Sequence, residues 1–414
     1  MKQIPVFIIS GKSPLGDPGG YPAYSHSLSQ ILNSLDYKVN TLAIGKKEEV
    51  KETEYGSIII ITTRLLKIFP FLEHLALAGL PYYSVIFARR IKKIAQKEKI
   101  DQFIIWGMGP WGFAGVVLKL ILPKNIKMTF ITSYFTSTRH EMKGALDAIK
   151  IKDYGILPKL RYFIVYEFVA RIYNVFEKIT VGLSDSVVLH YNSSKKIVKQ
   201  YFNVPDKKIE LFPWHTEIFK RQGIQDVAIK KYKHPLIVSI CRQDPRKGIN
   251  FIIHAIKIAS KKFPEIQCLI VGSGSFLTLN KKLVEKLKLK KNINVVGFAP
   301  DIKPILQEAD IAVIVPLAQG SSALTVLEAM SFGKAVIGSN CDGIPEDIIH
   351  NKSGLIIKKG NEHELADAIT QLIEDKQLRK KLGENAKKAS QQKFGFNKMK
   401  NEIETLLNKY VHQK

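Results

Sequence analysis

The sequence predicts an α/β protein built as two doubly wound domains facing each other across a cleft, and three observations carry that expectation. The chain has 414 residues, more than a single hydrophobic core usually serves, so two domains are the default. Short apolar runs alternate from end to end with longer segments of helical period, the signature of parallel strands joined by covering helices. The alternation lapses once, in ELFPWHTEIFKRQGIQDVAIKKYKHP between residues 210 and 235, where mixed, weakly periodic composition suits an interdomain connection. The first domain is therefore expected over 1–218 and the second over 219–392.

In the first half, runs of β-branched and aromatic residues bounded by turn formers predict strands near Val6–Ser10, Tyr37–Ile44, Ser57–Thr62, Gln102–Trp106, Met128–Thr132 and Ser186–His190. Helices are expected over Tyr21–Leu35, Phe69–Lys99, Trp111–Leu122 and Leu157–Lys178. The second half opens with LIVSI after Pro235, a helix from Gly248, the strand QCLIVG, a helix over Leu277–Leu289 and the strand INVVGF. The strand IAVIVPL, a helix containing LEAM, the strand KAVIGS and two helices from Glu362 to Gln391 follow.

The composition, 45% hydrophobic and 24% charged, is that of an ordinary globular protein. The N-terminal apolar run is shorter than a signal-peptide core, and no segment reaches the roughly eighteen unbroken apolar residues of a membrane span. A cytoplasmic location is expected. Cys241, Cys268 and Cys341 are widely spaced, odd in number and lack CxxC pairing, which fits reduced thiols and argues against structural zinc. A formal net charge of +26, shared evenly by the two halves, suits anionic partners. No basic stripe interleaved with aromatics and no recognised RNA or DNA motif accompanies it, so nucleic acid is not an expected partner.

The densest chemistry lies in PLAQGSSALTVLEAMSFGKAVIGSNCDGIPE, from Pro316 to Glu346, and in ICRQDPRKG upstream of it. The first reads as a buried strand running through a small polar loop into a helix. Such a junction points free backbone N–H groups and a positive dipole end at an anion. Ser321, Ser322, Leu324 and Thr325 would present those groups, Arg242 and Lys247 would add full charges, and Glu328 is placed to accept from a diol such as a ribose. A nucleoside diphosphate needs this combination.

These residues resemble those of the retaining glycosyltransferases of the GT-B fold, family 4, also described as glycosyl transferases group 1. The family's C-terminal domain reads G-R-x-x-x-x-K-G, V-G-x-G, F-x-G, a paired-Glu helix motif with E-A-M-x-x-G-x-P-V, and G-G-x-x-E. The chain offers Arg242-QDPR-Lys247-Gly248, VGSG at Val271–Gly274, VGF at Val296–Phe298, LEAMSFGKAV around Glu328, and DGIPE ending at Glu346. The match covers residues 235–391 well. The first half matches more loosely, through Gly19 and Gly20, the Asp101–Gly109 strand and loop, and HYNSSKK near Asn192. The family's closing helix, which returns to the first domain, is similar to residues within 393–414.

Three departures stand out. Gly320 occupies the position of the family's leading glutamate, eight residues before Glu328, and its neighbour Gln319 is an amide. The family's T-x-H is Thr132-Ser133-Tyr134, with His140 nearby in STRHE, a segment expected to be a polar surface loop. The interdomain P-N-G-V-D is Pro213-Trp214-His215-Thr216-Glu217.

The resemblance implies a retaining transferase that moves a sugar from a nucleoside diphosphate sugar to a glycan, lipid-linked or cell-envelope acceptor. Arg242, Lys247 and Gln319 would serve catalysis, and Gly297, Phe298, Gly320, Ser321, Ser322, Leu324, Thr325 and Glu328 would bind the donor. Gly19 and Gly20 would form a phosphate or acceptor loop. No metal and no cofactor are expected, since the chain lacks a D-x-D triplet and the basic pair can take the charge. A non-catalytic nucleotide-binding relative, or an epimerase or sugar-phosphate synthase of the same fold, is the alternative. Contact with an anionic membrane at the inner face is expected through the helix around Ile86–Ile100. Its Ile86, Phe87, Ile91, Ile94 and Ala95 share a stripe apart from Arg89, Arg90, Lys92, Lys93 and Lys97, and Phe69, Phe71, Leu75 and Leu77 precede it.

Overall fold

The computed structural model describes residues 3–14, 20–45, 47–62, 79–151, 156–214, 232–299 and 301–411. Gly19, the 215–217 part of the interdomain motif, and the Phe69, Phe71, Leu75 and Leu77 group lie outside them. The chain forms two compact units. One gathers the residues up to Arg139, Phe168–Ile218 and the segment from Gly395; the other gathers His140–Glu167 and Phe219–Phe394.

The first unit is built on β1 (Pro5–Gly11), β2 (Lys38–Ile44), β3 (Glu49–Thr53), β4 (Gly56–Ile61), β5 (Gln102–Met108), β6 (Lys127–Ser133), β7 (Ser186–Leu189) and β8 (Ile209–Leu211). They lie in the order β3-β4-β2-β1-β5-β6-β7-β8, parallel except for β3. Every residue of β1 is buried, as expected of a central strand covered on both faces. The sequence gives no sign of β3: it is a polar edge strand, Glu-Val-Lys-Glu-Thr, whose pairing with β4 needs no apolar run.

The helices of this unit are α1 (Gly20–Ser34), α2 (Leu80–Lys97) and α3 (Phe113–Ile121), and its chain resumes after α4 (Thr138–Ile151) and α5 (Ile156–Ile164) with α6 (Ala170–Leu183) and α7 (Asn192–Phe202). A π-helical stretch, Val165–Val169, joins α5 to α6. Helix α2 does not offer the membrane-facing stripe expected of it. Phe87, Ile91 and Ala95 are buried against Phe7, Phe103 and Phe130, with Ile86 and Ile94 packed on the same core. Its apolar stripe faces protein, and its cations form the usual solvated outer face.

The second unit contains β9 (Leu236–Ile240), α8 (Ile249–Ala259), β10 (Gln267–Val271), α9 (Leu277–Lys286), β11 (Ile293–Val296), α10 (Lys303–Glu308) and β12 (Ile311–Ile314). It continues with α11 (Leu324–Ser331), β13 (Ala335–Ser339), α12 (Ile344–Asp347), β14 (Leu355–Ile357), α13 (Glu362–Glu374) and α14 (Lys376–Lys393). Its parallel sheet has the order β11-β10-β9-β12-β13-β14, so the chain walks outward from β9, then crosses back to β9's other side at β12. That reversal is the topological switch point of a doubly wound sheet, where ligands bind beyond the carboxyl ends of the strands. The segment expected to be a surface loop, STRHE, is instead the first turn of α4. Finally α15 (Phe396–Val411) packs in the first unit, where Tyr410 donates to the Asp185 carbonyl at 3.2 Å and Lys409 pairs with Glu210 at 2.9 Å.

Candidate functional site

The loops after β9, β12 and β13 leave neighbouring strands and therefore meet. The β9 loop carries CRQDPRK and turns into α8 at Gly248, where φ is +75° and a Cβ would run into the Val315 carbonyl. Glycine alone permits that approach. It lets the Leu317 N–H donate to the Arg246 carbonyl at 2.7 Å and Arg246 Nη1 donate to the Ala318 carbonyl at 3.1 Å. Beneath the loop, the buried Gln243 donates from Nε2 to the Gly272 carbonyl at 2.8 Å and accepts from Asn280 at 2.9 Å.

Four charges sit within these few residues. The Arg242 side chain is exposed, and its Nε donates to Asp244 Oδ2 at 2.9 Å. Arg246, which the sequence reading passed over, is buried between Glu141 at 3.1 Å and Asp244 at 3.6 Å. Burial opposes ionisation of Asp244, but Arg246, Arg242 and Lys247 outweigh it and hold the carboxyl below its ordinary range. Lys247 donates to Gln319 Oε1. Burial first, and then repulsion by Arg246, push the Lys247 ammonium down to about 8. The charge of an arriving anion would offset both penalties, so this lysine is poised to gain from a negatively charged guest.

The β12 loop runs through Gln319 and Gly320 into α11. Ala323 caps that helix without a side-chain hydrogen bond, and the buried Ser322 Oγ has no hydrogen-bond partner among the described residues. An uncapped helix N-terminus beside an orphaned buried hydroxyl is a donor-rich place, as the sequence leads one to expect for Ser321, Ser322, Leu324 and Thr325. Glu328, in the second turn of α11, is buried.

The β13 loop supplies what the sequence reading did not foresee. Asp342 adopts φ +46°, at the position where the resembling family carries glycine. Its Oδ2 accepts from the N–H groups of Gln319 and Gly320, each at 2.6 Å, and lies 3.0 Å from His140 Nε2. Burial works against the charge, but the His140 hydrogen bond and charge and the two backbone donors hold the Asp342 carboxyl far below its usual range. An internal carboxylate thus engages the first two amides of the β12 loop.

Helix α4 delivers His140 and Glu141 to this constellation, so the expected surface role of His140 does not hold. Small residues make the fit possible: Gly144 lies directly against Ala318, and Ala148 packs with Phe251 and Leu317. The run Gly144-Ala145 with Ala148 was the available signal, a helix face too small to do anything but pack closely.

At the far side of the sheet, Gly297 follows β11 and accepts from the Gly272 N–H at 2.9 Å, while Phe298 is half-exposed. The structure therefore brings Arg242, Lys247, Gln319, Gly320, Ser321, Ser322, Leu324, Thr325 and Glu328 into adjoining loops, with Gly297 and Phe298 two strands away from β9. Gly20 begins α1 in the first unit. Thr132 and Ser133 end β6 there, both buried, and Ser133 Oγ accepts from Trp106 Nε1 at 2.8 Å.

Residues 221–389 match the family of glycosyl transferases group 1. That stretch carries the group 1 glycosyl transferase domain. An N-acetyl-alpha-D-glucosaminyl L-malate synthase of Bacillus anthracis is 22% identical over 333 residues, 79% of each chain. Three further curated relatives are matched over 56% to 61% of their own length, and an uncharacterized glycosyltransferase, MJ1178 of Methanocaldococcus jannaschii, over 92% at 24% identity. Among solved structures, a sucrose-phosphate synthase from Thermosynechococcus elongatus aligns over all of both chains with a TM-score of 0.76 at 18% identity. Anabaena HepE in complex with UDP-glucose aligns over 98% of this chain and all of its own, with a TM-score of 0.67 at 15% identity. The chain has the GT-B fold.

Proposed function

We propose that this glycosyltransferase is a retaining, metal-independent member of family 4 that moves a sugar from a nucleoside diphosphate sugar to a glycan, lipid-linked or cell-envelope acceptor. The observation that carries the reading is the meeting, at the switch point of the second sheet, of the Arg242–Lys247 loop with the uncapped N-terminus of α11. The presence of UDP-glucose in HepE supports a nucleotide-sugar donor.

In this reading Arg242, Lys247 and the N–H groups of Ser321–Thr325 receive the diphosphate, Glu328 accepts from the ribose hydroxyls, and Phe298 lies against the base. As the glycosidic C–O bond breaks, its electron pair leaves with the diphosphate, and fixed cations and amides stabilise that growing charge without reorganisation. The acceptor oxygen attacks the same face of the anomeric carbon, and its proton passes to a leaving phosphate oxygen. Gln319, held by Lys247, replaces a charged reader of the sugar with an amide that both donates and accepts. Asp342, next to it, restores a carboxylate to the neighbourhood from a different loop. Peripheral placement at the inner membrane face belongs to the same reading.

A thermal-shift screen of nucleoside diphosphates and their sugars tests the donor site, because a ligand of the native state raises Tm. A nucleoside diphosphate should stabilise the protein, and Lys247→Ala should abolish the shift. No stabilisation by any nucleotide would overturn the reading, and binding without transfer across an acceptor panel would overturn catalysis alone.

A further inference from the structure

We infer that Asp342 sets the charge of the sugar this site accepts: its Oδ1 receives a hydroxyl of an uncharged donor sugar, and its fixed negative charge excludes a sugar that bears a carboxylate. The inference rests on the nucleotide-sugar reading above and narrows it from donors in general to those without an acid group on the ring.

The contacts of this carboxylate are lopsided. Its Oδ2 accepts from the Gln319 and Gly320 N–H groups at 2.6 Å each, lies 3.0 Å from His140 Nε2, and takes the Cys341 thiol at 3.5 Å. Oδ1 has no hydrogen-bond partner among the described residues, and the side chain keeps 14% of its surface open. Asp342 holds this position from a left-handed backbone, φ +46°, which is uncommon for a residue with a side chain. One oxygen is therefore locked to the β12 loop while the other stays available.

Gln319 ties that carboxylate to the donor. Its N–H goes to Asp342 and its Oε1 to Lys247, so a single residue spans the carboxylate and the cation assigned to the diphosphate. A donor sugar hangs on its diphosphate through one glycosidic oxygen, and groups this close to Lys247 are the ones its ring meets first. An uncharged ring brings hydroxyls, which donate to an ionised oxygen in charge-assisted bonds. A ring with a carboxylate needs N–H donors instead, and those of Gln319 and Gly320 already serve Asp342. The neighbouring cations are engaged as well, Lys247 with Gln319 and Lys359 with the Leu317 carbonyl at 3.5 Å. Protonation offers no relief: burial opposes the charge, but the His140 contact and the two amides hold the carboxyl far below its usual range. Two like charges would face each other where water screens them little.

The test is calorimetric titration of the full chain. UDP, ADP, GDP and dTDP are titrated first; the tightest binder is then compared with its glucose and glucuronate conjugates, in the parent and in Asp342→Asn, each relative to the bare diphosphate. In the parent the glucose conjugate should bind at least about tenfold tighter than the glucuronate conjugate. In Asp342→Asn the glucose conjugate should weaken and the glucuronate conjugate strengthen, each by about tenfold. Opposite shifts are what a charge facing the sugar produces, whereas a residue that merely braced the loop would move both the same way. Equal affinities in the parent, or a variant in which the two do not move in opposite directions, would overturn the inference and leave diphosphate binding, and with it the donor-site reading, standing. If none of the four diphosphates binds, the donor-site reading falls and this inference falls with it.

Discussion

The two sheets share a strand plan but furnish their carboxyl ends in opposite ways. If the antiparallel β3 is set aside, the first sheet also walks outward from β1 and reverses at β5, just as the second reverses from β9 to β12. At the ends of β6, β7 and β8 the first unit gathers rings: His190 lies 4.8 Å from Tyr24, 5.3 Å from Phe135 and 6.1 Å from Trp214, centroid to centroid. Burial drives the His190 imidazole down to about 4, and its Nδ1–H donates to the Phe212 carbonyl at 2.9 Å. At the ends of β9, β12 and β13 the second unit gathers Arg242, Asp244, Arg246, Lys247 and Asp342. Topology decides where loops converge, and side chains decide whether the convergence excludes charge or concentrates it.

The largest expected effect tests the ionic end. Arg246→Leu leaves Glu141 without its buried counter-charge and Asp244 with Arg242 alone, and should cost about 3–5 kcal/mol of stability, read from the denaturation midpoint. A loss below ~1 kcal/mol would show that the buried network holds nothing together. Lys247→Ala, in the same loop, should leave the fold intact and cut transfer by about 10²- to 10³-fold; activity within a few-fold of the parent would remove it from the diphosphate site.

The aromatic end makes a different prediction, in pH. Below about pH 6.5 the unfolded chain takes up a proton that the folded His190 refuses until about pH 4, so stability should fall through that window by roughly 2–4 kcal/mol. His190→Gln should flatten the dependence, and an unchanged slope would mean that other groups carry it.

Smaller effects sharpen the contrast further. Asp342→Asn keeps the shape but removes the charge at Gln319 and Gly320; donor KM should rise about tenfold, roughly 1.4 kcal/mol, and unchanged donor kinetics would make Asp342 a purely structural brace. Phe298→Ala should weaken nucleotide binding by about 1 kcal/mol, visible as a reduced thermal shift.

Much of this was legible before any coordinates. The strands Val6–Ser10, Gln102–Trp106 and IAVIVPL and the helices at Tyr21 and LEAM announce themselves because burial on both faces demands apolar runs and coverage demands a helical period. The loops that carry Arg242, Lys247 and Ser321–Thr325 follow from those elements. What escaped had no local signature. The polar edge strand β3 buries little, and α4 begins with STRHE, whose composition is that of a loop.

By itself the sequence determined the order of strands and helices and the chemical inventory of each connecting loop, because these depend on neighbours along the chain. Tertiary structure decided which groups meet. His140 and Asp342 are 202 residues apart in sequence, and Lys247 and Gln319 are 72 apart, and neither pairing has a periodicity to betray it. It also decided the fate of two similar amphipathic helices: α2 turns its apolar stripe into a core, while α6 buries the opposite side and leaves its stripe outside. Periodicity shows that a helix has two faces, and only the sheet and helices packed beside it settle which one is covered.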